Sequence, residues 1–279
     1  MLRAVDYLLI GHSTADLRSG KRYLGGTVSF AARVASAFGL QVGVLTSAAS
    51  EEPLLAELEP YAQIVSLPAA DTSTFENIYD PTGRRKQYIR GVAAPIGAGD
   101  IPVAWLSAPL VHLAPLTDEV DPQIAHRFPD ATVLVTLQGW LRRWDDDGLV
   151  RFKRWYDAEV LKSVNILVFS EEDIVEGQDL EEAFARTVEH LIVTRAERGG
   201  THYHRGRVSR YDTPQVEVVN PTGAGDIYAA ALLASLHASP DDMETAIRVA
   251  ARLGALSVTR VGMDSAPTPD EVRQALESQ

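Results

Sequence analysis

Asp226 closes the run Val218-Val219-Asn220-Pro221-Thr222-Gly223-Ala224-Gly225-Asp226, and a small, apolar, helix-forming segment follows at once, Ile227-Tyr228-Ala229-Ala230-Ala231-Leu232-Leu233-Ala234. Two glycines let the backbone turn tightly and expose its amide hydrogens, and a helix starting there adds the positive end of its dipole. Gly223, Ala224 and Gly225 therefore outline a cradle for developing negative charge. A carboxylate beside such a cradle does not bind phosphate itself, because like charges repel. Asp226 reads instead as the base that deprotonates an attacking hydroxyl, which makes the stretch a phosphoryl-transfer site in outline. The same four letters recur at Gly97-Ala98-Gly99-Asp100, but Ile101-Pro102 follows, and a proline there removes an amide donor. That copy reads as a turn. At Asp226 a β-branched run lies upstream, ended as a strand by Asn220-Pro221, and an alanine-rich helix lies downstream.

With these residues the sequence resembles the ribokinase-like, or PfkB, family of sugar and nucleoside kinases, whose hallmark D-T-x-G-A-G-D has Asn220 at its head here. The resemblance spans nearly the whole chain. It implies an α/β fold, a ribokinase-like three-layer sandwich with a mostly parallel central sheet and a small β lid. It also implies ATP as donor, Mg2+ as cofactor and a small-molecule polyol as acceptor. Asp16 falls where the family keeps an aspartate that binds substrate hydroxyls. Gly25-Gly26-Thr27-Val28-Ser29-Phe30-Ala31-Ala32 matches the N-terminal glycine-pair motif and opens a helix to about Phe38, with Gly39 as its stop. Phe30 stands where kinases of ribose or fructose usually carry asparagine, so Asp16, Gly25, Gly26 and Phe30 form the implied substrate pocket, with a changed substrate. The phenyl ring is equally compatible with the core.

The remaining family elements are partial matches. Ser170-Glu171-Glu172-Asp173 corresponds to the family's N-x-x-E, which gives Glu172 and Asp173 a metal role through water; the same four residues also spell a helix cap. Leu191-Ile192-Val193-Thr194 and the following Arg195-Ala196-Glu197-Arg198-Gly199-Gly200 resemble the T-x-G-x-x-G donor contact, with Thr194 and Gly199 as contacts and Ala196 replacing one glycine. Ala250 to Gly262 resembles the helix and turn that wall the adenine, placing Ala251 and Gly254 beside Gly223 and Gly225 in the nucleotide site, although small residues at helical spacing ordinarily pack. Three stretches lean toward the myo-inositol kinase-like branch: Ser29-Phe30, Thr74-Phe75-Glu76-Asn77-Ile78-Tyr79, and Leu137-Gln138-Gly139-Trp140-Leu141-Arg142. Gln138 and Arg142 either bind a polyol or cap the surface.

Apolar strands near 5–11, 42–46, 63–66, 110–113, 132–136, 165–169 and 190–194 alternate with amphipathic segments, the pattern of a parallel sheet covered on both faces in a single domain over 1–279. Between 72 and 90, two alternating runs flank the turn sequence Asp80-Pro81-Thr82-Gly83 and predict a projecting β-hairpin, the lid. Its exposed strand offers an edge for a homodimer. A second hairpin is expected at His202-Tyr203-His204 and Val208-Ser209-Arg210-Tyr211, and its two histidines read as a solvated face rather than a metal clip.

Composition sets the outer limits. The chain has 279 residues, 46% hydrophobic and 23% charged, with a net charge of -12 that repels nucleic acid and anionic membrane surfaces. The donor is an anion too, so backbone amides, magnesium and local cations such as Arg195 or Arg198 must draw it in, unless those arginines face solvent. No cysteine is present, which excludes disulfides and thiolate chemistry. No apolar run approaches the roughly 20 residues that span a bilayer, and Met1 leads straight into a strand without a signal-peptide core, so the expected location is cytoplasmic. Two other classes compete with a kinase. A binding regulator on the same fold is motivated by Asn220, Ser170 and Phe30, but Asp226 is retained. A dinucleotide oxidoreductase lacks G-x-G-x-x-G.

Overall fold

Short β-branched runs build the frame. The computed structural model of the protein describes residues 2–79 and 85–278, and the expected turn Asp80-Pro81-Thr82-Gly83 lies outside them. In chain order the strands are β1 (Tyr7–Ile10), β2 (Thr14–Arg18), β3 (Lys21–Gly25), β4 (Val42–Ala49), β5 (Gln63–Ala69), β6 (Thr74–Tyr79), β7 (Arg85–Gly91) and β8 (Leu110–Leu113). They continue as β9 (Thr132–Thr136), β10 (Arg142–Trp144), β11 (Val150–Phe152), β12 (Ile166–Ser170), β13 (His190–Thr194), β14 (Gly200–His204) and β15 (Arg207–Tyr211). The α-helices are α1 (Thr27–Ala37), α2 (Ala158–Leu161), α3 (Asp179–Ala185), α4 (Ala224–Ala238), α5 (Met243–Ser257) and α6 (Pro269–Glu277).

Nine strands form the central sheet in the order β15-β14-β13-β12-β9-β8-β1-β4-β5. Every pairing from β13 to β5 is parallel, and β14 and β15 add antiparallel at one edge. β1 shows why such strands read as unbroken apolar runs: Tyr7 and Leu9 face one core with α1, α4 and α5, while Leu8 and Ile10 face a second core with Trp105, Trp140 and Phe184. Two cores on one sheet make three layers. Helix α4 is apolar on all sides and buried from Ile227 to Leu236, which carries the chain from the start of α4 straight through the first core. Burial of each leucine there contributes about 1.5–3 kcal/mol.

A separate four-stranded sheet, β3-β2-β6-β7, forms the lid. The expected hairpin supplies only β6 and β7. The other half is the hairpin β2–β3, closed by Ser19 and Gly20 with φ of 49° and 74°, the pair of left-handed residues that a tight two-residue turn needs. β6 joins the two halves by pairing parallel with β2, and Phe75 and Ile89 pack on Leu116 beneath. β7 is covered, since Ile89 donates to the Gly148 carbonyl at 2.8 Å.

Two expectations change. The residues before the catalytic motif, 212–219, form no strand; Pro214 removes a donor, and the amides of Val219 and Asn220 are taken by the Val258 carbonyl at 2.8 and 2.9 Å. Around β9, tight 3-10 turns at Pro122–Arg127 and Leu137–Leu141 replace amphipathic helices. The Gly97-Ala98-Gly99-Asp100 copy is a single exposed 3-10 turn, with the Asp100 carboxylate accepting from the Gly97 amide at 2.7 Å.

Candidate active site

Parallel strands end on one side of a sheet, and there the structure opens a cleft of about 560 Å³. Thr136, Ser170 and Thr194, the last residues of β9, β12 and β13, line it together with the start of α4 and the lid residues Asp16, Phe75, Asn77 and Gln87. This is the usual ligand position of an open α/β sheet.

At the centre stands Asp226 in the first turn of α4. Gly223 precedes that helix at φ 87°, and a Cβ there would lie 2.8 Å from the Phe30 ring, so glycine is required both by conformation and by space. Asn220 makes the turn possible: its side-chain oxygen accepts from the Thr222 amide at 2.8 Å, a role that needs an acceptor but no charge. The Ala224 amide is directed to the Pro221 carbonyl at 3.3 Å, whereas among the described residues no acceptor takes the amides of Gly225 and Asp226. Those two donors, at the positive end of a fifteen-residue helix, are what the turn presents to an anion.

Thr27 Oγ1 donates to Asp226 Oδ1 at 2.8 Å. Thr27 opens α1 immediately after Gly26, whose φ of 89° and whose approach to the His12 carbonyl, 2.7 Å from an added Cβ, exclude any side chain. Burial pushes the Asp226 carboxyl up to about 6; the Thr27 hydrogen bond and the Arg142 guanidinium oppose that rise, and the charges of Asp173 and Asp16 add to it. A carboxylate tuned near 6 is ionised at neutral pH and still basic enough to accept a proton.

Asp16 sits on β2 opposite β3, and Gly25 leaves room for it, since a Cβ on Gly25 would approach the Asp16 carboxylate to 2.6 Å. Burial raises the Asp16 pKa, opposed by Arg18 at 3.5 Å. Thr14, two residues earlier, turns a buried hydroxyl with no hydrogen-bond partner among the described residues into the cleft lining. Phe30 is only 2% exposed and packs in the first core under Gly223, so it acts as the floor of the pocket rather than one of its faces.

Thr194 and Gly199 line the cleft with Tyr211, Thr213, Pro214 and Val216, and Ala251, Gly254, Ala255 and Val258 form an apolar wall. Gly199 adopts φ 75° with its α-carbon against the Tyr211 carbonyl. Ala196, in the place of a family glycine, is held at φ 50°, a left-handed conformation that an L-residue adopts at a cost of about 1–2 kcal/mol. Arg195 and Arg198 are not turned toward the cleft. Arg195 pairs with Glu171 at 2.9 Å and Glu181 at 2.6 Å, and Arg198 also pairs with Glu171. The cation that does line the cleft is Arg142, which stacks over the Phe75 ring at 5.8 Å.

Comparison with known proteins agrees with this geometry. A family model described as pfkB family carbohydrate kinase matches residues 156–271. That match covers under half of the chain, and the solved structures below show a ribokinase-like fold. It is 29% identical to a fructokinase of Escherichia coli over 64% of this chain and 63% of the relative, so the match spans a little under two thirds of that protein. It is 26% identical to a cytidine kinase of Thermococcus kodakarensis over 82% of this chain and 88% of that one. Among solved structures, a pyrophosphate-dependent kinase in the ribokinase family complexed with a pyrophosphate analog and myo-inositol superposes with a TM-score of 0.80 at 20% identity, covering 96% of this chain and 99% of the other. A ribokinase from Thermotoga maritima gives 0.78 at 19%, over 98% and 100%.

The acidic turn after β12 forms the cap read from its sequence and also faces the cleft. Ser170 and Asp173 form a capping box, with the Ser170 amide donating to Asp173 Oδ2 at 2.9 Å, and Glu172 and Asp173 also line the cleft. Glu172 is exposed and its carboxylate is not used by the cap, so the oxygen donors there fit a hydrated magnesium ion, which prefers one or two carboxylates and several waters. Thr27 and Thr14 have no role in the sequence reading of the site, whereas Gln138 and Arg142, left there between polyol binding and surface capping, both line the cleft. Thr27 lay in plain view beside the glycine pair; nothing in the sequence announces that it meets a residue 199 positions away.

Proposed function

We propose that the protein is a small-molecule kinase that transfers the terminal phosphoryl group of ATP to a hydroxyl of a sugar, cyclitol or nucleoside. One observation carries the reading: a carboxylate with pKa near 6, held by Thr27 and standing beside two untaken helix amides, shares a cleft with Asp16. Asp16 would accept hydrogen bonds from adjacent hydroxyls of the acceptor. Asp226 would then take the proton from the attacking hydroxyl as its oxygen approaches the terminal phosphorus in line. Charge on the transferring group would be met by the amides of Gly225 and Asp226 at the start of α4, a preorganised arrangement that costs no reorganisation during reaction. Magnesium, when bound with the donor and held through water by Glu172 and Asp173, would neutralise charge on its phosphates.

Substrate and donor follow from the same lining. With Asp16, Asp226, Glu172 and Asp173 in the cleft and Arg142 as its one cation among the described residues, a sugar already carrying phosphate would be repelled. An uncharged cyclitol or nucleoside suits it better. The apolar wall from Ala251 to Val258 suits a purine face, which supports ATP as donor. The edge strand β3 would serve a second copy of the chain as a pairing edge.

The test is product release from a panel of uncharged and phosphorylated sugars, cyclitols and nucleosides, each with ATP or pyrophosphate and magnesium. Turnover with an uncharged polyol and ATP is expected; turnover with pyrophosphate alone would overturn the donor. Asp226→Asn should lower kcat by about 10²–10⁴-fold while ATP still binds. Asp100→Asn, in the look-alike turn, should leave turnover unchanged. Near-normal turnover of the Asp226 variant would refute its role as base.

A further inference from the structure

Three imidazoles stack on the sheet far from the cleft. His190 starts β13 and lies directly across the ladder from His204, and His202 lies across from Ile192, so all three rings stand on one face. His190 and His204 have centroids 4.2 Å apart at 19°, and His190 and His202 5.2 Å apart at 16°. His190 Nδ1 and His202 Nε2 share a hydrogen bond of 2.9 Å. Glu189 completes the group: single ligand atoms of Glu189, His190 and His204 all lie within 4.8 Å of one another. From sequence, His202 and His204 alone read as a solvated hairpin face; the third imidazole and the carboxylate arrive only when β13 pairs with β14.

We propose that Glu189, His190 and His204 form a binding site for a borderline divalent transition-metal ion, zinc in particular, with His202 as the outer partner that orients His190.

Ligand chemistry supports the choice. Zinc binds imidazole nitrogen and carboxylate oxygen at about 2.0–2.2 Å in tetrahedral geometry, which places ligand atoms about 3.3 Å apart. The cluster is within side-chain motion of that spacing. Imidazole ligates through an unprotonated ring nitrogen, and the pairing of β13 with β14 brings the two ligating rings and the Glu189 carboxylate together on one face. A hydrogen bond on the second nitrogen of a ligating histidine is the arrangement by which protein metal sites fix ring orientation, and the His202 contact supplies it. Glu189 pairs with the exposed guanidinium of Arg205 at 2.6 Å, a partner that can swing into water as the carboxylate turns to the metal. Magnesium prefers an all-oxygen octahedral shell, so this site would not compete for the ion used with the donor. β13 runs from His190 to Thr194, so a metal here would clip together two strands about 13 Å from the donor end of the cleft.

The full chain should be titrated with zinc chloride by calorimetry in a non-chelating buffer containing excess magnesium, with thermal unfolding followed in parallel. One zinc per chain is expected, with an upward shift of the unfolding midpoint. His190→Ala and His204→Ala should each weaken binding at least about tenfold, and His202→Ala by about 10–100-fold. His126→Ala, which removes only the contact of that imidazole with Ser163 Oγ, should change nothing. Glu189→Gln removes a ligand from a partly exposed position, tolerates folding best, and should also weaken binding. Absence of saturable binding, affinity equal to that of the unmodified protein in either Glu189→Gln or His204→Ala, or loss of zinc binding in Asp226→Asn, which would put the ion in the cleft, would each overturn the site.

Discussion

Thr27 is the residue through which two distant parts of the chain agree on one proton. Its hydroxyl lowers the pKa of Asp226 against the larger upward push of burial, and the balance leaves the carboxyl at about 6. In the proposed role, Asp226 would serve as a base above pH 6 and lose that capacity as the pH falls through 6. Removing the hydrogen bond in Thr27→Val takes away a stabilising partner of the charged form, so the pKa rises further. The acid limb of the kcat/KM profile should move to higher pH, with turnover falling by about two- to fifteen-fold at pH 7, since a hydrogen bond to a charged group is worth about 1.5–3 kcal/mol, or about 1–2 pKa units. Recovery toward normal turnover at alkaline pH is the expected mark of an electrostatic role; a uniform loss at every pH would show that Thr27 only positions the carboxylate. The same sign governs stability. A folded-state pKa raised above the ordinary 3.8 means that the charged form is disfavoured by folding, so this group's contribution to stability is fully present at low pH and is lost as pH rises through 6.

At the scale of elements, the turn Leu137–Leu141 decides where Gln138 and Arg142 go. It can lie close under the cleft because Gly139 packs flat on the Pro115–Leu116 backbone and donates to the Pro115 carbonyl at 3.0 Å; an added Cβ would overlap those backbone atoms. Backbone cannot yield as a flexible side chain can. Gly139→Ala should therefore lower stability by about 1–3 kcal/mol and displace Arg142, which raises the KM for the acceptor. Denaturant unfolding and steady-state kinetics would check both; an unchanged midpoint would mean that the turn shifts freely. The lid illustrates the converse, an element larger than its sequence suggested. Its second hairpin rests on the Ser19-Gly20 turn, whose backbone angles suit the strands on either side.

For the whole molecule, α4 is both the start of the catalytic turn and the spine of the first core. Stability and chemistry are joined there. Leu232 is fully buried in the middle of that helix, and Leu232→Ala should cost about 2–5 kcal/mol. For a chain of this size that is a fall in Tm of roughly 5–15 °C, measurable by calorimetry. An unaffected Tm would show that α4 is not the structural centre assigned to it. The charge of the whole works differently: a net -12 surrounds a cleft whose lining is also acidic, so under the proposed function an anionic acceptor would be repelled by the whole molecule as well as by the pocket.

The sequence alone determined whatever depends on neighbours along the chain. The seven parallel strands lie within a few residues of the apolar runs that announced them, because strands buried on both faces must be continuously apolar. The stop of α1 at Gly39, φ 82°, the 97–100 turn and the 202–211 hairpin were legible for the same local reason. Asp226 and its glycines were legible because a helix start and a tight turn need those residue types in that order. Tertiary structure decided what depends on encounters across the chain: Thr27 with Asp226, Arg195 and Arg198 turned to Glu171 instead of the donor, Phe30 under Gly223, and three histidines gathered on one face. It also decided that 212–219 would not be a strand, since a β-branched run becomes one only where a neighbouring edge is free to accept its hydrogen bonds, and here the Val258 carbonyl takes them first.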